Sequence, residues 1–365
     1  MSLQELEEEL ASRTLELCRI PSPIGQERPI ADHVEGWARR HFPAAQVFRL
    51  SNSLVVGDVR SACPSIALIG HLDTVPVHPA DSPARREGAR IYGRGSSDMK
   101  GGVAVMMAVA EALRKDQLSC NLLLIFYERE EGPYRESGLG LLFDAVPVLK
   151  RVSFGIALEP TDGVIQVGCV GSLHATVRIL GRSAHSARPW QGENAIHKAG
   201  PFLSELLRLP PREVSFDGFT FREVFSVTQV SAGRSRNVIP DQLELNLNYR
   251  FAPGKSVAQA EEDVRRLVGS RGEIEFVDRA PSGAVCTSNP LFQTLLSVTG
   301  LPSAAKQGWT DVARFSEWGV DAVNFGPGET AQAHQQNESA PVAPLALAFD
   351  KLSKFLRAAN KSAGP

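Results

Sequence analysis

Residues 66–76, which read IALIGHLDTVP, decide the fold and carry the first candidate functional side chains. Four apolar residues in succession are typical of a buried strand, and we expect Gly70 to let the chain turn where this strand ends. His71 and Asp73 are two positions apart, so their side chains leave the same face if extended geometry persists. An aspartate so placed can accept a hydrogen bond from one imidazole nitrogen, which leaves the other nitrogen free for a metal ion. An ordinary His and Asp pair at a strand end is the alternative.

Further strands and helices alternate along most of the chain. Strands are predicted at 46–50, 54–59, 66–70, 122–127, 154–158 and 322–325. Helices are predicted at 3–20, 27–40, 103–114, 289–298 and 343–359, and a polar loop at 81–90. Alternation of this kind predicts an α/β fold, in which polar side chains at the strand ends mark the edge that carries a site.

Residues 171–283 have a different pattern. Alternating strands at 173–180, 225–230 and 243–249 surround helices at 194–208 and 256–268. This pattern predicts an α+β insert with an antiparallel sheet and helices on one face. We therefore expect a discontinuous catalytic domain, 1–170 and 284–365, that the insert 171–283 interrupts.

The composition is that of an ordinary globular protein. The 365 residues are 43% hydrophobic and 22% charged, with a net charge of -2, which gives no electrostatic case for binding nucleic acid or an anionic membrane. We expect a small-molecule substrate.

The opening residues are acidic and no apolar run approaches the length of a membrane span, so we expect a cytoplasmic protein. Five cysteines lie far apart with no Cys-x-x-Cys pair, which indicates reduced, structural thiols.

Asp98 lies in a glycine-rich segment, GRGSSDMKGG at 93–102. The segment could be taken for a phosphate-binding loop, but it meets neither the Gly-Lys-Ser/Thr order nor the glycine spacing of a dinucleotide fingerprint. Two interpretations stay open. The glycines either fold the backbone tightly so that Asp98 points inward at a helix start, or they form a simple turn with an N-terminal aspartate.

Glu130 and Glu131 follow a run, 122–127, that is typical of a buried strand. Adjacent residues in extended geometry face opposite ways, so one carboxylate can bind a metal ion while the other faces a substrate. A metal-dependent hydrolase needs this division, because its free carboxylate deprotonates the attacking water and later protonates the leaving amine. A solvated acidic loop is the alternative.

Two further candidates follow strands of the same predicted sheet. Glu159 precedes Pro160 at one strand end, and His334 lies beyond the strand 322–325. The oxygen and nitrogen ligands are then His71, Asp98, Glu131, Glu159 and His334. Zinc accepts imidazole and carboxylate ligands and keeps an open position for water. Two ions with three ligands each require six ligands, and this set has five. One carboxylate must therefore bind both ions.

The ordered motifs of the chain resemble those of the dizinc aminoacylase and carboxypeptidase family. They are His-x-Asp, Gly-Arg-Gly-x-x-Asp-Met-Lys-Gly, Glu-Glu-Gly, Glu-Pro and Gly-Pro-Gly-x-x-x-x-Ala-His, and they span nearly the whole chain. The resemblance implies a zinc-peptidase-like catalytic domain with a mixed sheet flanked by helices, and an inserted domain that acts in dimerisation and as a lid. It also implies two zinc ions, with cobalt or manganese as alternatives in one site.

The resemblance further implies a role for each candidate. Asp98 bridges the two zinc ions. His71 and Glu159 bind one ion, and Glu131 and His334 bind the other. Glu130 is the general acid and base, and Asp73 keeps its predicted role of orienting His71. The protein is expected to be a homodimer in which His185 reaches the neighbouring subunit's site and stabilises the oxyanion.

The predicted substrate is a small acylated amino acid whose linear amide bond is hydrolysed. The candidate substrate-binding residues occur in motifs shared with one branch of the family, and they are Ser172, Arg188, Asn237, Arg250 and Thr310. Without the resemblance, Asn237 is an ordinary turn residue, Arg250 a surface ion pair and His185 a solvated loop residue. One departure is Cys169-Val170, where that branch carries basic residues. Another deacylase or peptidase of the family and a non-catalytic metal-binding homologue stay open.

Overall fold

The computed structural model describes residues 2–58, 63–114, 116, 118 and 120–359. Its helices are α1 (Leu3–Cys18), α2 (Arg28–His41), α3 (Lys100–Leu113), α4 (Gly138–Ala145), α5 (Ala195–Arg208), α6 (Val257–Val268), α7 (Pro290–Thr299), α8 (Val312–Glu317) and α9 (Val342–Ala358). Its strands are β1 (Val47–Leu50), β2 (Ser53–Val56), β3 (Ser65–His71), β4 (Arg85–Glu87), β5 (Arg90–Tyr92), β6 (Asn121–Tyr127), β7 (Phe154–Pro160), β8 (Ile165–Val167), β9 (Gly171–Leu180), β10 (Arg212–Phe216), β11 (Phe219–Ala232), β12 (Gln242–Phe251), β13 (Glu273–Ala280), β14 (Ser303–Ala305), β15 (Ala322–Gly326) and β16 (Ser339–Pro341). Among the residues that the structure describes, no helix is both long enough and apolar enough to cross a membrane.

The internal contacts divide the chain into two units. The first comprises the residues up to Gly168, Ala284–Lys306 and the chain from Thr310 onward, and the second comprises Cys169–Gly283 with Gln307–Trp309. The sequence predicts the first boundary between 170 and 171 and leaves 307–309 in the catalytic domain, so the two divisions differ at these positions. Trp309 falls in the second unit, where its indole N–H donates a hydrogen bond of 3.0 Å to the carbonyl oxygen of Pro281.

The first unit is built on an eight-stranded mixed sheet in the order β1-β2-β6-β3-β7-β15-β8-β14. Strand β3 pairs in parallel with β6 and β7, whereas β2 is antiparallel to β6. Every residue of β3 is buried, as its apolar run predicts for a strand that is covered on both faces. Parallel strands end at the same edge of a sheet, so the residues at the ends of β3, β6 and β7 are brought together there.

Gly70 does not turn the chain, so the sequence prediction for it is wrong. It lies inside β3, which continues through His71. A side-chain carbon at Gly70 would lie 2.9 Å from the sulfur of Met106 and 2.9 Å from the methyl carbon of Met99. Helix α3 therefore packs on β3 at a distance that leaves no room for a side chain.

Several short or exposed elements are not predicted by the sequence. Residues 81–90, predicted as a polar loop, contain β4 and the start of β5, and β5 pairs with both β4 and β16. The strand predicted at 54–59 ends at Val56, and its last position lies outside the described residues. Strands of three residues, such as β8 and β14, show too little periodicity to be recognised without their partners.

The second unit contains a five-stranded antiparallel sheet in the order β10-β11-β12-β9-β13, together with α5 and α6. Alternate residues of β9 and β12 are buried in one core with Phe202 of α5 and Val264 of α6. The separate antiparallel sheet and its helices confirm the predicted α+β insert, and the mixed sheet of the first unit confirms the predicted α/β class.

Candidate metal centre

His71 lies at the carboxyl end of β3 and is 1% exposed. Its Nδ1 lies 3.0 Å from the carbonyl oxygen of Asp73, and since a carbonyl oxygen only accepts, the proton is assigned to Nδ1. The lone pair of Nε2 then faces two carboxylate oxygens, at 3.1 Å on Asp98 and 3.9 Å on Glu159. Acceptor atoms this close repel one another unless a proton or a cation lies between them.

Asp73 differs from its predicted geometry in one respect. Its carboxylate lies 3.6 Å from His71 Nδ1, and the closer partner of that nitrogen is the backbone carbonyl oxygen of Asp73. The carboxylate accepts the backbone N–H groups of Glu130, at 3.0 Å, and of Glu131, at 2.9 Å. Asp73 therefore fixes the turn that carries both acidic residues, and its carboxylate lies beside His71.

A second group of donors forms around His334, a residue in the left-handed backbone region with a φ of 63°. Its Nε2 lies 3.0 Å from Glu131 and 3.6 Å from Asp98 Oδ2. Asp98 thus directs Oδ1 to His71 and Oδ2 to His334. The structure brings the five predicted ligands into two groups of three, which are His71 with Asp98 and Glu159, and Asp98 with Glu131 and His334.

The donor atoms have spacings that suit metal binding. Within each group they lie within 4.8 Å of one another. Tetrahedral zinc, with bonds of about 2.0–2.1 Å, separates its ligand atoms by roughly 3.3 Å. The distances from the two imidazole nitrogens to the carboxylates, 3.0, 3.1, 3.6 and 3.9 Å, bracket that value. Imidazole and carboxylate donors without a thiolate are accepted by zinc, cobalt and manganese, so these residues fit a pair of such ions.

Glu130 lies beside the two donor groups that share Asp98. Its carboxylate comes within 4.8 Å of donor atoms of His71 and Glu131. Burial raises the pKa of Glu130 well above its usual value; the charge of His71 opposes this shift, and the charges of Glu131 and Glu159 add to it. A carboxyl group with a raised pKa can both accept a proton and return it during one reaction cycle.

Burial and neighbouring charges also shift the pKa values of Glu159, Asp98 and His71. Burial raises the pKa of Glu159 to about 7, and the charge of Asp98 adds to that shift. Burial would also raise the pKa of Asp98, but the hydrogen bond and charge of His71 lower it. Burial would lower the pKa of His71, yet the neighbouring Asp73 and Asp98 raise it well above its usual value. These shifts favour the protonated forms of His71 and, below about pH 7, of Glu159.

The sequence does not single out Glu338, which the structure places against the loop that carries Asp98. Its buried carboxylate accepts the backbone N–H groups of Gly95, Ser97 and Asp98. Burial raises the pKa of Glu338 to about 7, and these donors act in the opposite direction. The one signal in the sequence is an acidic residue four positions after His334, and its meaning depends on contacts with residues 240 or more positions away.

His185, Arg188 and Asn237 lie in one loop region of the second unit. The Arg188 N–H donates to the carbonyl oxygen of His185 at 2.8 Å, and His185 forms a β-bridge with Val238, the residue after Asn237. His185 Nδ1 accepts the Ala187 N–H at 3.0 Å, so in the neutral ring Nε2 carries the proton and can donate it.

The other substrate candidates are found in two further places. Ser172 and Arg250 are neighbours across β9 and β12. Asn248 lies beside them, where it donates to Ser172 Oγ at 3.3 Å and accepts from Arg250 Nε at 3.0 Å. Thr310 is a buried residue of the first unit, two positions before α8. The candidates therefore form a loop group, a strand pair and one residue of the first unit.

An α/β sheet whose strand ends bring histidines and carboxylates into two linked donor groups is typical of hydrolases that use metal ions. The sequence profile of peptidase family M20/M25/M40 matches residues 67–358. The chain belongs to this family.

Two relatives match nearly the whole chain. The succinyl-diaminopimelate desuccinylase of Corynebacterium glutamicum is 38% identical over 351 residues, which cover 94% of this chain and 95% of the relative. A protein of Mycobacterium tuberculosis, provisionally named as the same enzyme, is 39% identical over 344 residues, which cover 94% of this chain and 96% of the relative. A solved structure, the M20 family metallo-carboxypeptidase of Sulfolobus solfataricus, has a TM-score of 0.77 at 17% identity and covers 97% of this chain and 99% of its own. At 17% identity, this similarity is evidence for a shared fold.

We predict that the affinity for zinc falls as the pH falls below about 7. Ligation requires a deprotonated Glu159 and a neutral His71, so protons compete with the metal ion. Since Glu159 has a pKa of about 7, the apparent association constant of the ion beside it should fall about tenfold or more for each pH unit below 7. Chelator-competition titrations across this range measure the effect. A constant affinity between about pH 5.5 and 7 would contradict the ligand role of Glu159.

Proposed function

We propose that the protein is a two-zinc amide hydrolase that releases succinate from N-succinyl-LL-2,6-diaminopimelate, in the synthesis of diaminopimelate and lysine. The observation that carries this proposal is the similarity to the desuccinylase of C. glutamicum, at 38% identity over 94% of the chain. The grouping of the candidate ligands around Asp98 supplies chemistry that suits the reaction. The cytoplasmic location stays a prediction.

We assign one ion to each of the two donor groups that share Asp98. The first would be held by His71, Asp98 and Glu159, and the second by Asp98, Glu131 and His334. When bound, the ions lower the pKa of a water molecule and withdraw charge from the amide carbonyl. Asp73 keeps two ligands in place, because it lies beside His71 and accepts the backbone N–H of Glu131.

Glu130 acts first as the general base and then as the general acid. Its raised pKa suits both steps, since it can take a proton from the attacking water and return it to the leaving amine. The hydrogen bond from its backbone N–H to Asp73 holds the backbone from which the Glu130 side chain extends. The carboxyl group therefore stays beside the ligand groups and remains free to move a proton.

The substrate presents carboxylate groups at both of its ends. The residues proposed to recognise it are Ser172, Arg188, Asn237, Arg250 and Thr310. Cys169 and Val170 are buried and uncharged, so we assign the carboxylate groups to the guanidinium groups of Arg188 and Arg250.

A substrate panel tests the proposed function. We expect kcat/KM for N-succinyl-LL-2,6-diaminopimelate to exceed that for N-acetylornithine and for dipeptides by about 100-fold, since each lost charge-assisted contact costs roughly 1.5–3 kcal/mol. Faster hydrolysis of N-acetylornithine or of a dipeptide would assign the chain to another branch of the family. If the metal-loaded protein hydrolysed none of them, the non-catalytic alternative would be favoured.

Substitutions of the adjacent residues Glu130 and Glu131 should have different effects. Glu130→Gln keeps the side-chain volume but removes the base, so we expect full metal content and a kcat lowered by about 10²–10⁴-fold. Glu131→Ala removes a ligand, so we expect bound metal to be lost. Metal analysis and steady-state kinetics on both variants measure this difference. Near-normal turnover in the first variant, or full metal content in the second, would refute the corresponding role.

We propose a homodimer that forms through the second unit. Strand β11 runs from Phe219 to Ala232, but β10 pairs only with residues 219–223. Within the described residues, the same edge of β11 beyond Glu223 has no strand partner, and Val230 is 54% exposed there. An unpaired edge is a template for another strand, and two identical edges can pair about a two-fold axis. The edge therefore supports a symmetric dimer.

We further propose that His185 acts at the site of the partner subunit, where its Nε2–H donates to the oxyanion. Mixing two inactive variants, His185→Ala and Glu130→Gln, tests this role and the dimer together. In a mixed dimer, the subunit with an intact Glu130 receives His185 of the partner subunit, so one site is complete. Random exchange then restores about a quarter of wild-type activity, because half of the dimers are mixed and each has one complete site.

The control for this mixing experiment is each variant alone, which should stay inactive under the same exchange conditions. Light scattering gives the oligomeric state, and mass spectrometry verifies that subunits have exchanged. A monomeric protein would contradict the dimer. An inactive mixture of exchanged dimers would show that His185 does not act between subunits.

A further inference from the structure

Glu338 binds the loop of Asp98 with both oxygens of its carboxylate. The side chain is 1% exposed. Its Oε2 accepts the Gly95 N–H at 2.8 Å, and its Oε1 accepts the N–H groups of Ser97, at 2.8 Å, and Asp98, at 2.9 Å. Backbone N–H groups that converge in this way form a nest, a concave site for an anion. Glu338 supplies that anion from within the chain.

The backbone of Glu338 is attached to the same loop. Its carbonyl oxygen accepts the Gly93 N–H at 2.9 Å, and the next residue, Ser339, begins β16, which pairs with β5. Arg94 adds a cation, since its guanidinium lies 3.4 Å from Glu338 and 2.7 Å from Asp81. The loop 93–98 is therefore fastened to Glu338 from its first residue to its last.

One short segment thus carries the His334 imidazole and fixes the backbone of Asp98. Asp98 directs opposite oxygens to His71 and to His334, at 3.1 and 3.6 Å. A rotation of the Asp98 backbone would move at least one of these oxygens away from its donor group. The hydrogen bond from the Asp98 N–H to Glu338 restricts that rotation.

We propose that Glu338 is a positioning residue that presets the Asp98 bridge and thereby sets the affinity of both metal sites. The proposal rests on the proposed two-metal function. Glu338 acts through the backbone of Asp98 and is not one of the proposed metal ligands. Groups that orient metal ligands typically contribute about 10- to 100-fold in metal affinity, which is the effect expected here.

A positioning role and a purely structural role have different consequences. A structural anchor contributes to the free energy of unfolding, so its loss lowers the melting temperature of the metal-free protein. It does not change the affinity of molecules that remain folded well below that temperature. A positioning residue changes that affinity, and it changes the ligand geometry that Co²⁺ reports in its visible absorption spectrum.

The test compares wild-type protein with Glu338→Gln and with a matched control, Glu329→Gln. Glutamine keeps one acceptor oxygen but turns the other into an NH₂ group, which cannot accept from the loop. Glu329 lies five positions before His334, and its carboxylate pairs with Arg90, so its neutralisation leaves the nest intact. Zinc affinity is measured by chelator competition and Co²⁺ binding by absorption spectra, at a temperature where all three proteins are folded.

We expect Glu338→Gln to bind zinc about 10- to 100-fold more weakly, with an altered Co²⁺ spectrum, and Glu329→Gln to match wild type within about twofold. If Glu338→Gln had the zinc affinity and the Co²⁺ spectrum of wild type, this proposal would be overturned. The proposed function would still stand in that case, provided that wild type binds two ions. If wild type bound no metal ion, the proposed function would fail and this inference with it. If Glu338→Gln did not fold, Glu338→Asp, with its shorter reach, takes its place under the same two criteria.

Discussion

Repulsion among carboxylates is the constraint on which the site depends. Five acidic side chains converge at the ends of three neighbouring strands and the adjoining loops, and they are Asp73, Asp98, Glu130, Glu131 and Glu159. Like charges this close, and partly removed from water, cannot all stay ionised without positive charge between them. Burial raises the pKa values of Glu130 and Glu159, and the neighbouring carboxylates add to both shifts, so protonation lowers the negative charge of the cluster. Divalent cations would lower it more completely, because each brings two charges and displaces protons.

The fold distinguishes the acids that face histidines from the acids that support them. Asp98 and Glu131 face imidazole nitrogens, whereas Asp73 and Glu338 accept backbone N–H groups, two and three of them respectively. Backbone donors stabilise a buried carboxylate without adding a side chain that would compete for the ligands. The parallel arrangement of β3, β6 and β7 makes this possible, since it brings their ends to one edge of the sheet.

The sequence predicts much of this site because the chemistry is local to short motifs. His71, Glu131, Glu159 and His334 lie at or beyond the ends of strands that apolar runs reveal, Asp98 lies in a glycine-rich motif, and the order of the motifs carries the family resemblance. The contacts of Asp73 and Glu338 could not be predicted, since they join residues that are 57 to 243 positions apart. The prediction for Gly70 is wrong for a related reason, because the sequence does not show that α3 packs against it. The short strands β4, β8, β14 and β16 exist through pairing in space, which periodicity over three residues cannot reveal.

The central claim is that Asp98 joins two metal sites, and anomalous diffraction from zinc-loaded crystals tests it most directly. Data collected on both sides of the zinc absorption edge locate each ion independently of any assumed ligand. The account predicts two peaks about 3.5–4 Å apart, one on either side of the Asp98 carboxylate, with His71 and Glu159 at one and Glu131 and His334 at the other. A single peak, or peaks that Asp98 does not bridge, would contradict it.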